Sequence, residues 1–268
     1  MPSRTMRTNA VFAFLFLLLF SSLSFGSTST STMLKKDFAL KQAQSTNQAQ
    51  TPLPDLRKYP SGTARKKAFL KTVVPVIEKV NQQIMEERNW LLSVRTNAKW
   101  SAQELRRLTQ ICDSYGINCS NPKRINWDKL LSRVDIMPTH LVATQAATES
   151  GWGTSQLAQQ NGNLFGMRCG SGCQTKKGKI KGYSTYSSVE ETVTAYMKNM
   201  NTHNAYESLR HSRAKQRKSQ DELDSVKLIN DMKGYSELGS SYNRYLKEMY
   251  ASNEELITQA QKRAATRS

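Results

Sequence analysis

After residue 62, apolar residues recur at helical steps along most of the chain. Phe69, Val73, Val76, Ile77, Val80 and Ile84 share one stripe of an amphipathic helix, with Pro75 as a candidate bend. Ser101 followed by Glu104 has the form of a capping box and opens a second helix. Pro138 stands where a helix can start, because its missing N–H is not needed there. Leu141, Val142, Gln145, Ala146 and Glu149 follow at helical steps until Gly151 and Gly153 end the run. Val189, Val193, Tyr196, Met197 and Met200 form another stripe, started by Ser188 and Glu191. Ser219 and Glu222 predict the cap of a helix carrying Leu223 and Val226, and Tyr242, Tyr245, Leu246 and Met249 make the last stripe. Residues 168–187 break this rhythm. They are glycine-rich, with scattered β-branched and aromatic residues and no helical period, which predicts a short hairpin. The pattern as a whole predicts a mainly α fold, with a helical domain over residues 126–250 that carries a small β-hairpin lobe. Extra N-terminal helices over residues 63–125 precede it.

The ends of the chain read differently. Arg4 and Arg7 precede ten apolar residues at 11–20, and small residues follow to Gly26, the order of a secretory signal peptide over residues 1–26. The apolar run falls short of the roughly 20 residues that span a bilayer, so cleavage and export are expected rather than a stable membrane anchor. Residues 27–62, rich in Ser, Thr, Gln and Ala with Pro52, Pro54 and Pro60, predict a flexible tether. Residues 251–268 read as a basic C-terminal tail.

Export changes the meaning of two compositional features. The four cysteines fall into close pairs, Cys112 with Cys119 and Cys169 with Cys173, which in an oxidising compartment predicts two local disulfides. The formal net charge of +18 fits adhesion to the carboxylates and phosphates of a cell envelope better than nucleic acid, which an exported protein rarely meets. His140, His203 and His211 share no spacing, so neither a metal nor another cofactor is expected.

Glu149 is the strongest candidate for chemistry. It sits at the C-terminal end of a largely apolar helix, just before a Gly-Trp-Gly turn. The negative end of the helix dipole and apolar neighbours such as Trp152 both favour a protonated carboxyl. A glycosidase needs such a proton for the leaving oxygen. The same position also fits an exposed glutamate at a helix terminus, and local chemistry alone leaves both readings open.

Residues 138–168 contain Gln145-Ala146, then Glu149-Ser150-Gly151-Trp152-Gly153 with Ser155, then Asn163-Leu164-Phe165-Gly166. These two ordered blocks resemble the signature of the glycoside hydrolase family 73 glucosaminidases, the flagellar and autolysin hydrolases of bacterial peptidoglycan. Weaker similarity extends through Tyr183 and Tyr186, Asn204 to Tyr206, Gly234-Tyr235-Ser236 and Tyr242, covering roughly residues 126–250. The N-terminal helices and the exported character resemble the Bax-type proteins of Gram-negative bacteria. The resemblance implies a lysozyme-like fold and cleavage of the β-1,4 bond after N-acetylglucosamine, with Glu149 as general acid. It also implies that Trp152, Asn163, Phe165, Tyr183 and Tyr186 shape the glycan site, and that Tyr206 matches a functional tyrosine. The proline that precedes that tyrosine in relatives is absent here.

One departure bears on mechanism. Relatives commonly carry a second carboxylate in the hairpin, but residues 150–189 contain neither Asp nor Glu. Glu190 and Glu191 come next as candidate second acids, although Glu191 fits equally well as the partner of Ser188 in a helix cap. A lytic transglycosylase and a non-catalytic wall-binding protein are the alternatives that a missing second acid favours.

Overall fold

The computed structural model describes residues 51–170, 173–174, 176–219, 222–232 and 239–266. The expected signal peptide, most of the expected tether, and Gly234, Tyr235 and Ser236 lie outside the described residues. The fold is mainly helical. Its elements are α1 (Thr63–Val94), α2 (Ala102–Ser114), α3 (Trp127–Arg133), α4 (Thr139–Ser150), α5 (Gln156–Asn161), α6 (Val189–Thr202), α7 (Glu207–Ser219), α8 (Ser225–Asn230), α9 (Ser240–Ala251) and α10 (Glu254–Ala265). Short 3-10 turns at Leu56–Lys58, Pro122–Arg124 and Asn204–Tyr206 join some of them. No described helix is long and apolar enough to cross a membrane.

The 32-residue α1 is the spine of the molecule. Pro75 lies on its exposed side, where the lost N–H does not end the helix. Phe69, Leu70, Val73, Val74, Ile77, Val80 and Ile84 bury one stripe in a large core shared with α4, α6, α9 and α10. Farther along, Leu91 and Val94 enter a second, smaller core with Leu108, Ile111, Tyr115, Ile125, Leu130 and Val134 from α2, α3 and their connections. The capping box at α2 forms as expected, Ser101 and Glu104 each bonding the other's backbone N–H. Both cysteine pairs are bridged, Cys112 to Cys119 and Cys169 to Cys173.

Several expectations need adjustment. Within the expected tether, Leu56 is buried against the core, and Thr51 accepts a hydrogen bond from Val189 N–H. The expected basic tail contains α10, which packs along α1 through Ile257. The helix expected to start at Ser219 starts at Ser225, because the Asp224 carboxylate caps it by accepting from Lys227 N–H. Ser219 instead ends α7, and Gln220 and Asp221 lie outside the described residues.

The hairpin also differs. Among the described residues of 168–187 the only β pairing is a single antiparallel bridge, Arg168 to Tyr183. Glycines and a run of lysines leave too few side chains to pack along a ladder, and strand pairing depends on such cross-strand contacts.

Beneath α4 lies a buried ionic knot. Asp135, in the connection between α3 and α4, receives Arg217 through both carboxylate oxygens at 2.9 and 3.2 Å. Arg88 and Arg213 approach the same carboxylate at 3.6 and 3.9 Å. Arg213 is fully buried and also donates to the carbonyls of Ser132, Asp135 and Ile136 and to the Asn201 amide oxygen. From α1, Asn81 bonds both the N–H and the carbonyl of Met137, fixing the entry into α4.

Candidate active site

Helix α4 starts directly after Pro138 and is buried on nearly every side, Glu149 being one of its few partly exposed positions. Its end is locked by a left-handed turn. Gly151, Trp152 and Gly153 have φ of 56°, 57° and 76°, and Trp152 is the one described residue other than glycine with positive φ. A tryptophan in that conformation costs roughly 1–2 kcal/mol, which the surroundings offset. Its ring meets Phe69 edge-on at 5.6 Å, and the Lys66 ammonium lies 5.1 Å from the ring centre. Ser150 Oγ accepts from Gly153 N–H at 2.8 Å. A Cβ on Gly153 would come 2.6 Å from Leu56 Cδ1 and 3.2 Å from Phe69, and with φ of 76° the position favours glycine.

Glu149 faces a cluster of tyrosines. Tyr242, on α9, donates its hydroxyl to Glu149 Oε1 at 2.6 Å. Burial pushes the Glu149 carboxyl above its ordinary range, and the Tyr242 hydrogen bond partly offsets this by favouring the ionised form. Tyr206 and Tyr196 are buried, with hydroxyl pKa values raised first by burial and further by the nearby Glu149 charge, so both remain protonated donors. Tyr196 donates to Gln145 Oε1, one helical turn before Glu149, and its ring stacks on Phe165 with centroids 3.9 Å apart. Gly166 closes the opposite side, where an added Cβ would lie 3.6 Å from Glu149 Oε2. The arrangement can hold a proton on Glu149 and present hydroxyl groups beside it.

The other expected site residues divide. Tyr206 is buried at the end of its 3-10 turn, hydrogen-bonded to Asn199 and close enough for the Glu149 charge to act on its hydroxyl. Phe165 lines the cluster from below. Asn163 is buried and committed to its own turn, donating to the carbonyls of Met167 and Ser184 and accepting from the N–H groups of Phe165 and Met167. Trp152 packs under the helix end rather than standing free. Tyr183 lies beneath the Arg168 guanidinium at 4.5 Å, and the Tyr186 hydroxyl contacts Met167 Sδ.

Glu190 pairs with Lys79 of α1 at 2.9 Å. Glu191 is exposed and accepts from both the backbone and the hydroxyl of Ser187, while its own N–H is capped by Ser188. Both carboxylates are thus held at the start of α6. Among the described residues no group of three or more His, Cys, Asp or Glu side chains could hold a metal ion. Tyr242 was reached by the weaker family similarity but given no site role, since its place in an apolar stripe gave no sign that its hydroxyl reaches α4.

A half-buried carboxyl with a raised pKa, at the end of a helix and bonded by the Tyr242 hydroxyl, lies within a glucosaminidase domain: residues 125–255 match the family described as mannosyl-glycoprotein endo-beta-N-acetylglucosaminidase. The chain is also 49% identical to Protein bax of Escherichia coli (strain K12) over 263 residues, covering 94% of this chain and 96% of that protein. It belongs to the Bax-type glucosaminidase-like proteins. No solved structure matches it.

Proposed function

We propose that this protein is an exported endo-β-N-acetylglucosaminidase that cleaves the β-1,4 bond after N-acetylglucosamine in peptidoglycan, with Glu149 as general acid. The observation that carries the reading is the Glu149 carboxyl itself, half-buried with a raised pKa and held by Tyr242. The disulfides accord with export. Glu149 gives its proton to the leaving oxygen as the glycosidic C–O bond breaks.

Glu190 and Glu191 have partners elsewhere, which favours attack on the anomeric carbon by the substrate's own 2-acetamido oxygen over a second protein carboxylate. The Tyr206 hydroxyl orients that group. Water then opens the cyclic intermediate, returning its proton to Glu149, so the product keeps the β configuration. Phe165 supports the tyrosines from behind, Asn163 and Trp152 hold the two turns in place, and Tyr183 and Tyr186 border the bound glycan.

Digestion of purified peptidoglycan followed by mass analysis tests this. New reducing N-acetylglucosamine ends are expected. Anhydro sugar ends would make the protein a lytic transglycosylase, and the absence of new ends would leave a wall-binding protein without turnover. The anomer first released, read by NMR before mutarotation, tests the acetamido step. An initial α product would overturn it and return Glu190 and Glu191 to consideration.

A further inference from the structure

The smaller core carries a surface that the Glu149 cluster does not use. Three of the chain's four tryptophans, Trp90, Trp100 and Trp127, pack against it while staying partly exposed. Trp90 is covered by the Arg107 guanidinium, 4.5 Å from its ring centre. Trp100 and Trp127 lie nearly parallel, at 18° with centroids 6.4 Å apart, and both border a groove of about 590 Å³. Arg95, Lys99 and Lys123 line the same groove with Asn97 and Asn121. None of the three cations has an ion pair among the described residues.

Glu104, which contacts the groove through Asn97, is engaged in bonds of its own. It accepts from Ser101 N–H at 2.7 Å and from the Asn97 amide at 3.2 Å. The groove therefore combines aromatic rings, unpaired positive charge and amides. That set matches a saccharide bearing carboxylates. The apolar C–H faces of a pyranose fit the electron-rich faces of indoles, and lysine and arginine meet carboxylates in solvent-rich surroundings where charge steers binding. A neutral polysaccharide would leave the cations without partners, and an apolar peptide would leave both cations and amides so.

We infer that the Trp100–Trp127 groove is a second glycan-binding site, which takes a carboxylate-bearing strand such as peptidoglycan with its peptide stems and anchors the protein while Glu149 acts elsewhere on the polymer. The choice of ligand rests on the function proposed above, but the binding itself does not require cleavage.

The test uses the chain carrying Glu149→Gln, so that binding to purified insoluble peptidoglycan is measured by sedimentation without cleavage. Adding Lys99→Glu and Lys123→Glu reverses two exposed charges outside the core, and affinity should fall about tenfold. Trp127→Leu keeps apolar bulk against the core and should weaken binding similarly. Peptidoglycan with its carboxylates amidated should bind the parent weakly and no longer distinguish it from the charge-reversed variant. In the chain with Glu149 intact, the same lobe substitutions should leave cleavage of short soluble glycans unchanged, so a failure of the catalytic reading shows there and not in sedimentation. Unaltered wall affinity in both the charge-reversed and the Trp127→Leu proteins, with thermal unfolding like the parent's, would overturn the second site.

Discussion

Asp135→Asn should destabilise the protein more than any surface substitution, and by an amount the knot allows one to work out. The Asp135 side chain is 2% exposed, and of its three arginine neighbours Arg213 is 0%, Arg88 14% and Arg217 20% exposed. Burial already pushes the Arg213 guanidinium down to about 10, with Asp135 as the group that supports its charge. Removing one partner of a buried ion pair costs about 3–5 kcal/mol, because the remaining charge is left uncompensated. Arg213 keeps its carbonyl and amide acceptors in the variant, which places the loss near the lower end, about 3 kcal/mol. For a body of this size each kcal/mol moves Tm by roughly 2–4 °C, so a fall of about 6–12 °C is expected by circular dichroism. Arg217→Gln, at the wetter rim, should cost about 1 kcal/mol or less. A Tm within 2 °C of the parent for Asp135→Asn (~1 kcal/mol or less), or a smaller fall than Arg217→Gln gives, would refute the view that the knot is held by its one carboxylate.

Glu149→Gln should lower turnover on peptidoglycan by a factor of about 10² or more. Because Glu149 is raised in the folded state, its ionisation weakens the fold as pH climbs above the unfolded value of 4.5. The substitution should therefore raise Tm at neutral pH, and the gain should vanish below that value. Tyr242→Phe removes a bond that favours the carboxylate, so the alkaline limb of the pH–rate profile, which reports Glu149, should move to higher pH. Asn163→Ala strands the Met167 and Phe165 N–H groups in a buried turn and should cost about 2–3 kcal/mol in urea unfolding.

The helices carrying Glu149 and Tyr196 were legible because an apolar stripe and a cap signal agree there. Tertiary contacts hid other features. Helix α7 is rich in basic residues and carries no apolar stripe singled out from sequence, yet Arg210 and Arg213 turn inward because carbonyls left over at the ends of other segments accept their donors. A single sequence gives no sign that an arginine will be buried by backbone oxygens 77 or 81 positions away. Tyr242 illustrates the same limit: the weaker family similarity reached it, but its contact with Glu149 spans 93 positions and its helical spacing pointed to packing. The hairpin was overread because glycine-rich segments without helical period look alike whether they pair over many residues or only one.

The left-handed turn at Trp152 also bears on whether the catalytic segment is portable. The side chains that seat it, Leu56 and Phe69, come from before residue 125, where the glucosaminidase match begins. Lys66, over the same ring, bonds Asn253 at 2.8 Å and so ties the N-terminal helix to the far end of the match. A fusion or truncation that keeps only the matched residues would strip the seat and leave the strained turn to relax, taking the end of the Glu149 helix with it. Leu56, Phe69 and Gly153 thus form one seat divided between two parts of the chain, and a graft meant to keep this turn has to include residues from Leu56 onward.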